Sequence, residues 1–102
     1  MVNSIPCYDY RNEVITHFTQ WDINQTITIK DLNIDNAPIF HFYNKDNTES
    51  IGVQSILKDG NITADVPNIL LESNLPINIF VYLITKSSGK SIYEFKIPVH
   101  SK

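Results

Sequence analysis

An antiparallel β-sandwich of about seven strands with one short helical turn is the fold class that this 102-residue sequence predicts. Three observations carry the prediction. The stretch Ile77-Asn78-Ile79-Phe80-Val81-Tyr82-Leu83-Ile84-Thr85 is the most apolar in the chain, too short to span a membrane and rich in β-branched and aromatic residues. Several other short segments alternate apolar with polar residues, the period of a strand with one covered face. Turn-forming residues separate these segments about every ten positions. No segment is long enough for the crossover helices of a parallel α/β fold, and a small barrel is the remaining alternative.

Ile77 to Thr85 is expected to be the central strand, covered on both faces. Ile77, Ile79, Val81 and Leu83 point one way, and Phe80, Tyr82 and Ile84 the other. The remaining elements are arranged around it. Met1 to Arg11, with Pro6 and two tyrosines, reads as an N-terminal arm that adds an edge strand. Glu13 to Phe18 reads as a short strand with Val14, Thr16 and Phe18 on one side, and Gln20-Trp21-Asp22 as a corner. Gln25 to Lys30 alternates cleanly, with Ile27 and Ile29 inward, and Leu32 and Ile34 continue that face. Asp35-Asn36-Ala37-Pro38 is a turn.

Ile39 to Tyr43 is the next strand, with Phe40 and Phe42 on one face and Ile39, His41 and Tyr43 on the other. Asn44 to Ser50 reads as a hairpin loop and Ile51 to Leu57 as a weaker strand containing Gly52. Asp59-Gly60 is the strongest hairpin signal in the chain. Beyond it Ile62, Ala64 and Val66 face inward. Pro67 to Glu72 breaks the two-residue period, and a proline at a helix start predicts one or two helical turns there. Ser87-Ser88-Gly89-Lys90 makes another hairpin turn. The last strand, Ser91 to Val99, sets Tyr93, Phe95, Ile97 and Val99 opposite Ile92, Glu94 and Lys96, with Pro98 marking a free edge or a strand end.

Composition narrows the function classes. The net charge of −3 comes with seven lysines and one arginine, all scattered, so no basic stripe exists to neutralise a phosphate backbone and no nucleic-acid partner is expected. The single cysteine, Cys7, allows neither an intrachain disulfide nor a cysteine zinc quartet. Met1 to Pro6 lacks the basic start and apolar core of a secretory signal, so synthesis and folding in a reducing cytosol are expected, with no membrane partner.

Catalytic chemistry finds little purchase. His17, His41 and His100 sit on three separate strands without short ligand spacing, which predicts surface histidines in preference to a metal site. Cys7 beside a histidine would make a nucleophile pair, but no local signature accompanies it. The aspartates fall in turns and on outward strand positions, where they bond their own backbone. Gly52, Gly60 and Gly89 are too far apart for a phosphate loop. No catalytic residue, cofactor or metal is therefore expected. The candidate binding residues are aromatic. Trp21 is expected to cap the core at its corner; the alternative is that Tyr8, Tyr10, Trp21 and Tyr43 form a platform on which a sugar ring stacks.

Four pieces occur in a suggestive order: Phe18-Thr19-Gln20-Trp21-Asp22 followed by Gln25-Thr26-Ile27; Ile39-Phe40-His41-Phe42-Tyr43-Asn44; Asp65-Val66-Pro67-Asn68-Ile69-Leu70-Leu71; and Ile79-Phe80-Val81-Tyr82 followed by Gly89-Lys90-Ser91-Ile92 and Ile97-Pro98-Val99. Together, from Phe18 to about Val99, they resemble the N-terminal domain of phage tail and baseplate proteins of the upper-baseplate type, found in phages and prophages of low-GC Gram-positive bacteria. The resemblance implies a β-sandwich without catalytic residues that anchors a longer protein to the virion. It implies synthesis in the bacterial cytoplasm and a final place in the virion. Other tail or baseplate proteins are the implied partners, with a homo-oligomer, a trimer favoured, as a further expectation. Downstream segments of such proteins form the stalk or receptor-binding head. With this chain ending at Lys102, attachment is the expected role and receptor binding is not. A small carbohydrate-binding module is the alternative.

Overall fold

The computed structural model describes residues 5–85 and 89–102. Among them the chain forms nine strands and one short 3-10 turn: β1 (Phe18–Thr19), β2 (Thr26–Ile29), β3 (Ile39–Tyr43), β4 (Ile51–Gln54), β5 (Ile56–Lys58), β6 (Asn61–Asp65), the 3-10 turn Asn68–Glu72, β7 (Ile77–Thr85), β8 (Gly89–Ile97) and β9 (Val99–His100). A three-stranded sheet ordered β2-β6-β5 faces a four-stranded sheet ordered β4-β3-β7-β8, and the pairs within both are antiparallel. The predicted antiparallel sandwich is the observed fold.

The core lies between the sheets and follows the two-residue period of the strands. Ile27, Ile29, Ile62 and Ala64 come from one side, and Phe40, Phe42, Ile77, Ile79, Val81 and Leu83 from the other, all buried. The 3-10 turn adds Leu70 and Leu71. Short β1 and β9 pair in parallel and close one end, where Phe18 faces Val99 and both are buried. Proline has no N–H to continue a ladder, and Pro98 separates β9 from β8.

Three expectations are corrected. The segment Ile51 to Leu57 is two strands in different sheets, not one. The break falls at buried Ser55, whose N–H and hydroxyl both donate to the Pro38 carbonyl, at 3.2 and 2.6 Å, and so turn the chain across the sandwich edge. Glu13 to Phe18 is not a regular strand. Val14 makes only an isolated bridge to Tyr8 and is exposed, while Ile15 packs on the core in its place. Most consequential, β7 is central but covered on one face only. Ile77, Ile79, Val81 and Leu83 are buried, whereas Tyr82 and Ile84 are 57% and 73% exposed. Ser87 and Ser88 of the expected second hairpin turn lie outside the described residues.

The Asp59-Gly60 hairpin is observed with both residues at positive φ, 52° and 80°, as a type I′ turn requires. Gly60 is fixed twice over. Its carbonyl accepts from the Leu32 N–H at 2.8 Å, and a Cβ there would lie 3.0 Å from the Leu32 carbonyl oxygen. Gly60→Ala is expected to cost about 1–3 kcal/mol, read as a lower urea midpoint with an unchanged slope.

Candidate interaction surface

The outward positions of the four-stranded sheet form its most aromatic surface. Alternation in β3 directs Ile39, His41 and Tyr43 away from the core, and in β7 it does the same for Asn78, Phe80, Tyr82 and Ile84. Register then makes a row across the sheet: Gly52 of β4 stands beside His41, His41 beside Phe80, and Phe80 beside Glu94 of β8. The His41 ring stacks on Phe80 with centroids 4.7 Å apart and planes 12° apart. Tyr43 and Tyr82 meet Phe80 edge-on at 6.1 and 5.6 Å, and Tyr82 also meets His41 edge-on. Such cross-strand ring pairs stiffen the face they occupy. Gly52 leaves the flank of His41 open, and a Cβ there would sit 3.2 Å from an Ile39 methyl. Ile39, Ile84 and Ile92 extend the patch with exposed aliphatic surface. Two shallow clefts border it: one of about 310 Å³ between Tyr82–Ile84 and the turn Asp35–Pro38, the other of about 360 Å³ beside Tyr43, Phe80, Glu94 and Lys96.

The four aromatic residues singled out from sequence fall on different surfaces. Only Tyr43 belongs to this face. Tyr8 and Tyr10 line a separate cleft of about 550 Å³ on the outer side of the three-stranded sheet, together with Asp9, Thr28, Lys58 and Asn61. The Lys30 amine lies 4.1 Å from the centroid of the Tyr8 ring and so covers one of its faces. Trp21 does not cap the core. It is 56% exposed, sits at φ 68°, and is held through its N–H, which donates to the Leu71 carbonyl at 2.8 Å. The single aromatic platform weighed as the alternative to that cap is not assembled from these four residues either.

The N-terminal arm is stitched into the sandwich. Tyr8 exchanges two backbone bonds of 2.9 Å with Thr28 of β2, and the Ile15 N–H donates to the Cys7 carbonyl at 2.8 Å. Asp9 folds the following turn. Its Oδ1 accepts from the backbone N–H groups of Arg11 and Glu13, at 2.9 and 3.0 Å, and its Oδ2 accepts from the Arg11 guanidinium at 3.2 Å. Desolvation raises the Asp9 pKa, but the Glu13 and Arg11 backbone donors and the Arg11 side chain outweigh it and hold the carboxyl below its ordinary value.

Cys7 is buried, and desolvation pushes its thiol up to about 12. A folded-state pKa raised above the unfolded one leaves stability intact below the unfolded value, near 8.5–9, and erodes it between there and about 12. In that window each pH unit is expected to cost on the order of 1 kcal/mol, because the unfolded thiol ionises while the folded one does not. Melting curves of the parent and of Cys7→Ala between pH 8 and 10.5 should diverge, with the parent losing more; parallel curves would contradict the burial.

The histidines divide. His41 belongs to the aromatic face. His17 and His100 are both exposed, and their rings stack at 3.9 Å with planes 12° apart across the β1–β9 end. Sequence separation hid this pair, since only the parallel pairing of β1 with β9 brings them together. Among the described residues no group of three or more His, Cys, Asp or Glu side chains is placed to hold a metal. No protein-family model, no curated protein and no solved structure matches this chain.

The residues missed from sequence are His41, Phe80, Tyr82 and Ile84. A signal for them was present. Glu94 and Lys96 occupy the same face on the neighbouring strand, and a doubly covered strand does not have charged neighbours on its second face.

Proposed function

We propose that this domain is a non-catalytic assembly module of a phage or prophage tail or baseplate, and that it works by burying the outer face of its four-stranded sheet against a neighbouring subunit. The observation that carries the reading is the outward-facing ring cluster of half-buried His41, Tyr43 and Phe80 with exposed Tyr82, continued by exposed Ile39, Ile84 and Ile92. Exposed aromatic and aliphatic surface of this kind is costly in water and typical of interface centres, where aromatic anchors carry much of the binding energy. The ordered sequence pieces resembling upper-baseplate N-terminal domains supply the setting: a virion destination, other tail proteins or further copies as partners, and no cofactor. The test is complementation of a phage lacking the gene with Tyr82→Glu/Ile84→Lys. Both positions are exposed, so the variant is expected to fold, while its incorporation into virions should fall roughly tenfold or more. Incorporation equal to the parent would contradict the reading.

A carbohydrate-binding module is the second reading, favoured by the exposure of Trp21 and Tyr10. Trp21 is the only tryptophan, so its fluorescence reports on that corner alone. Titration with host cell-wall glycan is expected to leave the emission unchanged. A saturable shift abolished by Trp21→Ala would favour the glycan reading.

A further inference from the structure

The identity of one partner follows from the edge of the same sheet, and this inference rests on the assembly reading. β8 is nine residues long, pairs residue for residue with β7 over its whole length, and among the described residues has no strand on its other side. Among the described residues no other segment bonds to the outer edge from Lys90 to Ile97. The other sheet edges are short or occupied: β4 has four residues, β5 has three, and β2 receives Tyr8. A long, regular, open edge is a template for another strand unless like charges, a proline, a bulge or a cover blunt it; here the charges Lys90, Glu94 and Lys96 are of both signs, and Pro98 comes only after the strand ends.

We infer that β8 pairs antiparallel with β8 of a second copy, with Ile92 on the two-fold axis. Charge selects this register. On the outer face Ile92 meets its own copy, and Lys90 meets Glu94 twice, once on each side of the axis. On the inner face Tyr93 meets Ser91 and Phe95 meets Gly89, large against small. Lys90 and Glu94 are both exposed and in no ion pair among the described residues, so both charges are available to a partner. With Tyr93 on the axis, Lys90 would face Lys96 and Glu94 would face Ile92. With Glu94 on the axis, two carboxylates would oppose each other. Like charges directly opposite destabilise a strand pair, and opposite charges stabilise it. With Phe95 on the axis Glu94 also meets Lys96, but the ladder then runs only from Tyr93 to Ile97 before Pro98 ends it. The Ile92 register joins two four-stranded sheets into one and makes the two aromatic faces continuous. The contact is two-fold and closed, so it builds a dimer in place of the trimer favoured from sequence.

The test uses the full chain with single cysteines at Ile92, Tyr93, Glu94 or Phe95 under mild oxidation. A residue on the axis lies about 4.5–5.5 Å from its own copy, within disulfide reach, and buried Cys7 does not compete. Cross-linked dimer is expected for Ile92→Cys, and little for the other three. Glu94→Lys should weaken the dimer roughly tenfold or more in sedimentation velocity, and Lys90→Glu/Glu94→Lys should restore it. Preferred cross-linking at 93, 94 or 95, failure of the double reversal to restore the dimer, or a parent that dimerises only after residues 1–4 are removed would each overturn the inference. The two readings fail separately. A virion component that stays monomeric and uncross-linked sinks the pairing alone, whereas a dimer in this register that never enters virions sinks the assembly reading alone.

Discussion

Val81→Asp is expected to unfold the domain or bring it to the edge of unfolding. Val81 is fully buried in β7 and faces Phe40 on one neighbouring strand and Tyr93 on the other. An aspartate there loses its hydration and gains no cation, and even the protonated acid leaves polar atoms unpaired in the core. The cost is about 3–5 kcal/mol against a typical total stability of ~5–15 kcal/mol. Ile84→Asp, three positions along the same strand, places the carboxyl on the exposed side and should cost less than about 1 kcal/mol. Urea denaturation of the two variants therefore separates the faces of one strand. Similar midpoints for both would show that β7 does not divide core from solvent as described.

Phe40→Ala should be the second large effect, at about 3–5 kcal/mol. Phe40 is fully buried at the centre of β3, beside Val53 and Val81 in register, with the Phe42 ring 6.1 Å away. Truncation leaves a cavity that strands on both sides prevent from collapsing. Phe80→Ala removes a ring of the same size from the outward face, where that ring is half-buried against the rings of His41, Tyr43 and Tyr82 and lies outside the core. Its cost to stability should be about 1 kcal/mol, the scale of aromatic pair interactions. Phe40→Ala should thus lower the melting temperature several times as much as Phe80→Ala, and equal shifts would contradict the assignment of faces.

Much of this fold was legible because the strands obey a simple period. Gln25 to Lys30, Ile39 to Tyr43 and Asn61 to Val66 alternate without interruption, and their inward residues are the ones found buried. Asp59-Gly60 announced its turn through backbone conformation, and Pro67 announced the 3-10 turn. Where reading failed, long-range interactions decided the outcome. Ser55 breaks a strand because of a carbonyl seventeen residues earlier, which no local pattern encodes. The second face of β7 looked like core because its residues are apolar. Apolar composition does not separate a buried face from an exposed one, and only the neighbouring strand's Glu94 and Lys96 tell them apart. Tyr8, Tyr10, Trp21 and Tyr43 were grouped by residue type, and the topology disperses them over three surfaces.

Hydroxyl-radical footprinting of the domain, free and within assembled tails, tests the proposed assembly surface most directly. Modification of Phe80 and Tyr82 should be strong in the free domain and suppressed in the tail, while Tyr10 and Trp21 should react alike in both. Tyr82 and Phe80 remaining as reactive in the tail as in the free domain, with protection appearing at Trp21 or Tyr10 instead, would contradict the account and move the interface away from the four-stranded sheet.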